Sequence, residues 1–145
     1  MTGEPGGWDS STNLLLREGR NMRTALVVDD NSFHRELLEV FLGTMGFTRV
    51  WTCGTPEEAK RAYQEAAPKP SVIIIDHDLG PADGLRLLRE MMTEDTSLRA
   101  IFMSRDPEVE RECYKAGAME FVRKPYSISE VGRAVNRTMR PTVVS

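Results

Sequence analysis

Two carboxylates, Asp76 and Asp78, follow an unbroken β-branched run at residues 72–75, within the stretch SVIIIDHDLGPADG. Such a run suits a strand buried on both faces of a parallel sheet. It stops at Asp76, and Gly80, Pro81 and Gly84 then mark a loop. Open α/β sheets gather their chemistry at the carboxyl ends of strands, which makes Asp76 the candidate reacting group. Three further apolar runs also end in polar residues: 25–28 in Asp29 and Asp30, 98–103 in Ser104, and 119–122 in Arg123 and Lys124. A parallel sheet brings these ends to one edge. Carboxylates crowded there repel, by roughly 4 kcal/mol per pair at about 4 Å and an effective dielectric near 20. A divalent cation relieves the repulsion, and oxygen ligands with retained waters favour magnesium (or manganese). A carboxylate nucleophile, a metal, a hydroxyl and an ammonium group together suit phosphoryl transfer. Asp76 attacks to give an acyl phosphate, Lys124 and the cation neutralise phosphoryl oxygens, and Ser104 donates a hydrogen bond.

The elements that must position these residues are legible from periodicity and caps. Strands are expected at residues 25–28, 47–52, 72–75, 98–103 and 119–122. A first helix is expected over residues 32–45, with Phe33, Leu37, Leu38, Phe41, Leu42 and Met45 as a stripe facing the core. Thr55, Pro56 and Glu58 predict a capping box opening a second helix, which ends before Pro68. Leu85, Leu88, Met91 and Met92 give a third helix its apolar side. Asp106, Pro107 and Glu108 open a fourth that runs to Ala116. Ser127 and Glu130 form another capping box for the last helix. Five strands alternating with five helices predict a doubly wound α/β fold, a parallel sheet with helices on both faces.

Composition bounds the function. The 145 residues fit one domain, and a net charge of −3 argues against direct nucleic-acid binding. No apolar run approaches the roughly 20 residues that span a bilayer, so no membrane insertion and a cytoplasmic location are expected. Cys53 and Cys113 are the two cysteines and read as reduced thiols. Residues 1–23 read as a flexible extension, 24–140 as the folded domain and 141–145 as a tail. His77 is expected to be a solvent-facing loop side chain, and Met91, Met92 and Met119 core filler. Arg133, Arg137 and Arg140 form either a solvated face or a docking surface for an acidic partner.

Residues 23–140 resemble the receiver domain of two-component response regulators. The match lies in an ordered set: the acidic pair Asp29 and Asp30, then Asp76, Gly84, Ser104, and Lys124 with Pro125. The resemblance implies a five-stranded parallel sheet of order 2-1-3-4-5, a flavodoxin-like three-layer sandwich. It implies that Asp76 is the phosphoacceptor. Asp30 and Asp76 would bind magnesium through their carboxylates, Asp29 through water and Asp78 through its backbone carbonyl. Ser104 would be the switch hydroxyl, Lys124 the phosphoryl-contacting lysine and Phe121 the aromatic switch residue. Asp78, Arg105 and Asp106 occupy positions that tune the lifetime of the phosphorylated state. The chain departs from the family pattern at Gly80 and Pro81, where the proline stands one residue late, and at Arg105, where a small residue is usual.

The function so implied is a stand-alone receiver, not a turnover enzyme. It would take a phosphoryl group from a histidine kinase or histidine phosphotransfer protein. It would signal to a downstream protein through the face of the fourth helix, fifth strand and fifth helix, with dimerisation open. A receiver-like module that works without phosphorylation is the alternative. An aspartate-nucleophile phosphatase of the haloacid dehalogenase type shares the pattern of Asp76 and Asp78, but its acidic pair should follow the lysine, whereas Asp29 and Asp30 precede everything.

Overall fold

A computed structural model describes residues 22–141. The expected extension therefore lies outside the described residues up to position 21, and the tail does so from 142. Strands β1 (Arg23–Val28), β2 (Phe47–Cys53), β3 (Val72–Asp76), β4 (Ala100–Ser104) and β5 (Glu120–Arg123) alternate with helices α1 (Ser32–Thr44), α2 (Pro56–Glu65), α3 (Gly84–Glu94), α4 (Glu110–Lys115) and α5 (Ile128–Met139). The strands form one sheet of order β2-β1-β3-β4-β5 with every pair parallel. The predicted doubly wound order is thus the observed one.

Alternation along the strands divides the core into two layers, because successive strand side chains point to opposite faces. Leu26, Val28, Ile73, Ile75, Ala100 and Phe102 meet residues of α2, α3 and α4 on one side. Ala25, Val27, Val72, Ile74, Ile101 and Met103 meet α1 and α5 on the other. Val72–Asp76 and Ala100–Ser104 are buried along their whole length. Emptying one such position, as in Ile74→Ala, costs about 2–5 kcal/mol. That rigid centre fixes where β3 and β4 deliver their last residues.

Local chemistry sets the helix ends, with some differences from expectation. The Thr55 hydroxyl accepts from the Glu58 amide at 3.2 Å, but the Glu58 carboxylate accepts from Gly54 N at 2.8 Å instead of closing the expected box. The box at Ser127 is complete in both directions, at 2.9 and 3.1 Å. Asp106 caps as expected by accepting from Glu108 N at 2.9 Å, yet Pro107–Val109 form a 3₁₀ turn and only Glu110–Lys115 are α-helical. On α1, Leu38 and Leu42 are buried, whereas Phe33 is 64% and Leu37 41% exposed. The predicted stripe is wider than the core it faces. Met91 is buried and Met92 packs on the core, but Met119 is exposed. Cys53 and Cys113 are free, buried thiols; burial pushes them up to about 11 and about 12.

The loop at Gly80 and Pro81 resolves into a small hairpin. Asp78–Leu79 pair antiparallel with Ala82–Asp83. Gly80 has a φ of 72°, which a two-residue turn demands of its first central residue and a side chain would resist. The displaced proline therefore has a local reason: Gly80 takes the left-handed position and Pro81 follows with the negative φ that its ring imposes.

Candidate functional site

Parallel pairing sets the site. Val28 and Ile75 are register partners, as are Asp76 and Met103, and Ser104 and Arg123. The next residues of each strand therefore emerge together. Asp29, Asp30, Asp76, His77, Asp78, Ser104, Arg105, Asp106 and Lys124 all line one cavity of about 440 Å³. Every predicted polar site residue thus lies at one sheet edge. Phe121 does not; it is half-buried against the core layer of α3 and α4, with Phe102 as its register partner.

Asp76 is only 3% exposed and its carboxylate is held on both oxygens. Oδ2 accepts from Lys124 Nζ at 2.6 Å, and Oδ1 from Asp78 N at 3.3 Å. The Lys124 side chain is itself mostly buried, so this pair is little screened by solvent. Lys124 N donates to Ser104 O at 2.9 Å, and the following bond to Pro125 is cis. Behind Asp76 the chain comes close: a Cβ on Gly84 would lie 2.0 Å from Asp76 O. Only glycine fits there.

Asp29 is fully buried. Its Oδ1 accepts from Asn31 N at 2.9 Å, while Oδ2 accepts no hydrogen bond among the described residues. His34 Nδ1 stands 3.5 Å from that oxygen without hydrogen-bond alignment. Burial first, and the Asp76 charge in addition, raise the Asp29 carboxyl above its ordinary range, against the Asn31 amide and the Lys124 and His34 side chains. Carboxylate oxygens of Asp29, Asp30 and Asp76 lie within 4.8 Å of one another. A buried carboxylate oxygen without a donor, beside two more carboxylates, is a donor set that fits a hard divalent cation.

On the other side of Asp76, Ser104 is 1% exposed. Its Oγ accepts from Asp106 N at 3.0 Å and lies 2.8 Å from His77 Nδ1. His77 is therefore not the solvent-facing loop residue that the sequence predicts. Its place beside Asp76 was visible in the sequence; its partner on β4 was not, because the pairing of β3 with β4 makes the contact. Arg105 is exposed at the cavity rim, and also borders a neighbouring groove with Leu37, Pro125 and Tyr126. Asp78 is exposed, and its Oδ1 accepts from Gly80 N at 3.2 Å. Of the arginines on α5, Arg137 pairs with Glu120 at 2.8 Å, while Arg133 is exposed.

Comparison with known proteins agrees with this fold. The profile of the response regulator receiver domain matches residues 25–136. The chemotaxis protein CheY of Thermotoga maritima is 28% identical over 120 residues, covering 81% of this chain and 98% of that protein. The transcriptional regulatory protein AruR of Pseudomonas aeruginosa is 34% identical over 123 residues, covering 79% of this chain and 49% of that longer protein. The CheX–CheY–BeF3–Mg complex from Borrelia burgdorferi superimposes with a TM-score of 0.77 at 26% identity, over 82% of this chain and 90% of that one. No helix among the described residues is long and apolar enough to cross a membrane.

Proposed function

The chain belongs to the family of response regulator receiver domains of two-component systems, and from that premise we propose that Asp76 is its phosphoacceptor. One observation carries the assignment: among the described residues, Asp76 is the carboxylate of the acidic cluster that accepts a hydrogen bond from the Lys124 ammonium group. A phosphohistidine on a histidine kinase or histidine phosphotransfer protein is the donor. An O–P bond forms to the Asp76 carboxylate as the N–P bond to the donor imidazole breaks, and the imidazole leaves. Lys124, already 2.6 Å from Asp76, neutralises charge on the incoming phosphoryl oxygens. Asp29, Asp30 and Asp76 would hold magnesium, with the Asp78 backbone carbonyl as a further oxygen ligand. A divalent cation there supplies Lewis-acid stabilisation of the phosphoryl charge. Magnesium in the Borrelia complex supports that choice of ion.

Ser104 supplies the switch hydroxyl, and Phe121 is the aromatic residue that responds. Phe121 borders a groove with Glu110, Glu130, Arg133 and Arg137, on the face of α4, β5 and α5. A downstream protein docks there, and an acidic one must compete with Glu120 for Arg137. Asp78, Arg105 and Asp106 stand exposed around the cavity and tune the access of donor and water. Residues 24–140 form the receiver, as expected, together with Arg23, which opens β1; 1–22 and 141–145 are flanking segments.

The test is incubation with magnesium and acetyl phosphate, followed by intact mass over time. Wild type is expected to gain one phosphoryl group, and Asp76→Asn none. Equal gain by Asp76→Asn would falsify the assignment. No gain by wild type would favour a module that works without phosphorylation.

A further inference from the structure

Helix α1 carries apolar side chains on two opposite faces. Leu38 and Leu42 are buried against the sheet. Phe33, Leu37 and Val40 are 64%, 41% and 64% exposed. Their spacing of four and then three residues puts them on one stripe, because such positions are neighbours on a helix surface. The stripe continues beyond the helix, since Leu37 shares a groove with Pro125 and Tyr126. Single exposed apolar side chains are ordinary, but adjacent ones on a helix form a patch that marks an interaction surface. Nothing among the described residues covers it. Glu36 and Glu39, both exposed, lie along one side.

The chain itself carries a matching segment. Residues 1–21 precede the described fold. Leu14, Leu15 and Leu16 are the longest apolar run among them, and Arg17 and Arg20 follow, with Glu18 between. The path from there to α1 is short. Arg23 opens β1 as the register partner of Phe47, and its carbonyl accepts from Thr48 Oγ1 at 3.3 Å. Phe47 stands three residues after α1 ends at Thr44. The segment therefore joins the fold beside the carboxyl end of α1. At about 1.5 Å per residue, Val40 lies about 6 Å and Phe33 about 17 Å back along the helix from that end. Residues 17–22, when extended, span up to about 20 Å. The three leucines thus reach the stripe, and the arginines reach Glu36 and Glu39.

We propose that the outer face of α1 is a docking surface for residues 14–20 of this same chain. The leucines pack on Phe33, Leu37 and Val40, and Arg17 and Arg20 offset Glu36 and Glu39. Reach, apolar content and opposite charge select that occupant. The groove at Leu37 shares Arg105 and Lys124 with the cavity at Asp76, so the docked segment lies alongside that cavity. The proposal does not depend on the role of Asp76.

Full-length protein tests it. Cys53 and Cys113 are buried, so a nitroxide on Thr12→Cys reports on the segment alone. The amide NMR signals of Phe33, Leu37 and Val40 are expected to be lost to broadening. Those of Arg86 and Glu90, on α3 across the sheet, are expected to remain. Leu15→Asp in the segment, or Leu37→Asp on the helix, is expected to restore the α1 signals. Leu37 is exposed and Leu15 lies outside the described fold, so neither change empties the core. Broadening that spares α1, or that survives Leu15→Asp, overturns the proposal. So does loss of α1 signals when spin-labelled chains are mixed with isotope-enriched chains lacking the label, because a second copy then occupies the face. Trypsin gives a readout that needs no label. Cleavage after Arg17 and Arg20 is expected to be at least about fivefold faster in Leu37→Asp than in wild type, within what burial of one leucine supports. Equal cleavage rates overturn the docking.

Discussion

On the β1 flank of Asp76 stand Asp29 and Asp30; on the β4 flank stand Ser104 and His77, with Lys124 reaching in from β5. The first flank is short of positive charge and donors. Asp29 is fully buried with one oxygen that accepts nothing, and burial raises its carboxyl. The second flank is closed. Ser104 has two partners, and Lys124 and Asp76 satisfy each other at 2.6 Å. On the proposed function, a cation would therefore arrive on the β1 flank by adding contacts, whereas a phosphoryl group on Asp76 would engage the β4 flank by replacing contacts that already exist. Binding and switching would then be separable: one flank would govern affinity for the ion, the other the balance between two states.

Four measurements break or sharpen that division. The largest effect is expected where both flanks share a support. Gly84→Ala would drive a Cβ against the Asp76 carbonyl and should cost about 3 kcal/mol or more in denaturant unfolding. A smaller cost would mean that the backbone behind Asp76 yields. Next, Lys124→Met leaves the buried Asp76 carboxylate without its ammonium partner and should destabilise the metal-free protein by about 3 kcal/mol. Asp30→Asn should weaken magnesium binding at least about tenfold by calorimetry, while Ser104→Ala leaves it within about twofold. Equal losses from the two would merge the flanks into one site. The smallest effect has the opposite sign to that of Lys124. Asp29→Asn should stabilise the metal-free protein by about 1 kcal/mol, because it removes a buried charge that repels Asp76 and keeps an acceptor for the Asn31 amide. A lower melting temperature for Asp29→Asn would contradict the account of that flank.

The acidic flank was legible in the chain and the hydrogen-bonded flank was not. Asp29 with Asp30, and Asp76, follow two apolar strands that end in β-branched residues, and such a strand announces both its burial and its end. Once the alternation of strands and helices implies a parallel sheet, the carboxylates must converge, whatever the side-chain detail. His77 carried no such signal. Its side chain could have faced solvent, and only the register of Asp76 with Met103 on β4 puts its ring next to Ser104. The exposed Phe33 and Leu37 make the same point for packing. Periodicity assigns them to an apolar stripe, but the width of the core that α1 covers is a property of the sheet and of α5 beside it.

By itself, then, the sequence determined the fold class, the strand ends that carry charge and most of the helix caps, since these depend on neighbours within a few residues along the chain. The tertiary structure decided which carboxylate oxygen lacks a donor, where the Lys124 ammonium rests and which group holds the Ser104 hydroxyl. Those contacts join residues 27 to 48 positions apart, and only strand register and helix packing set their distances.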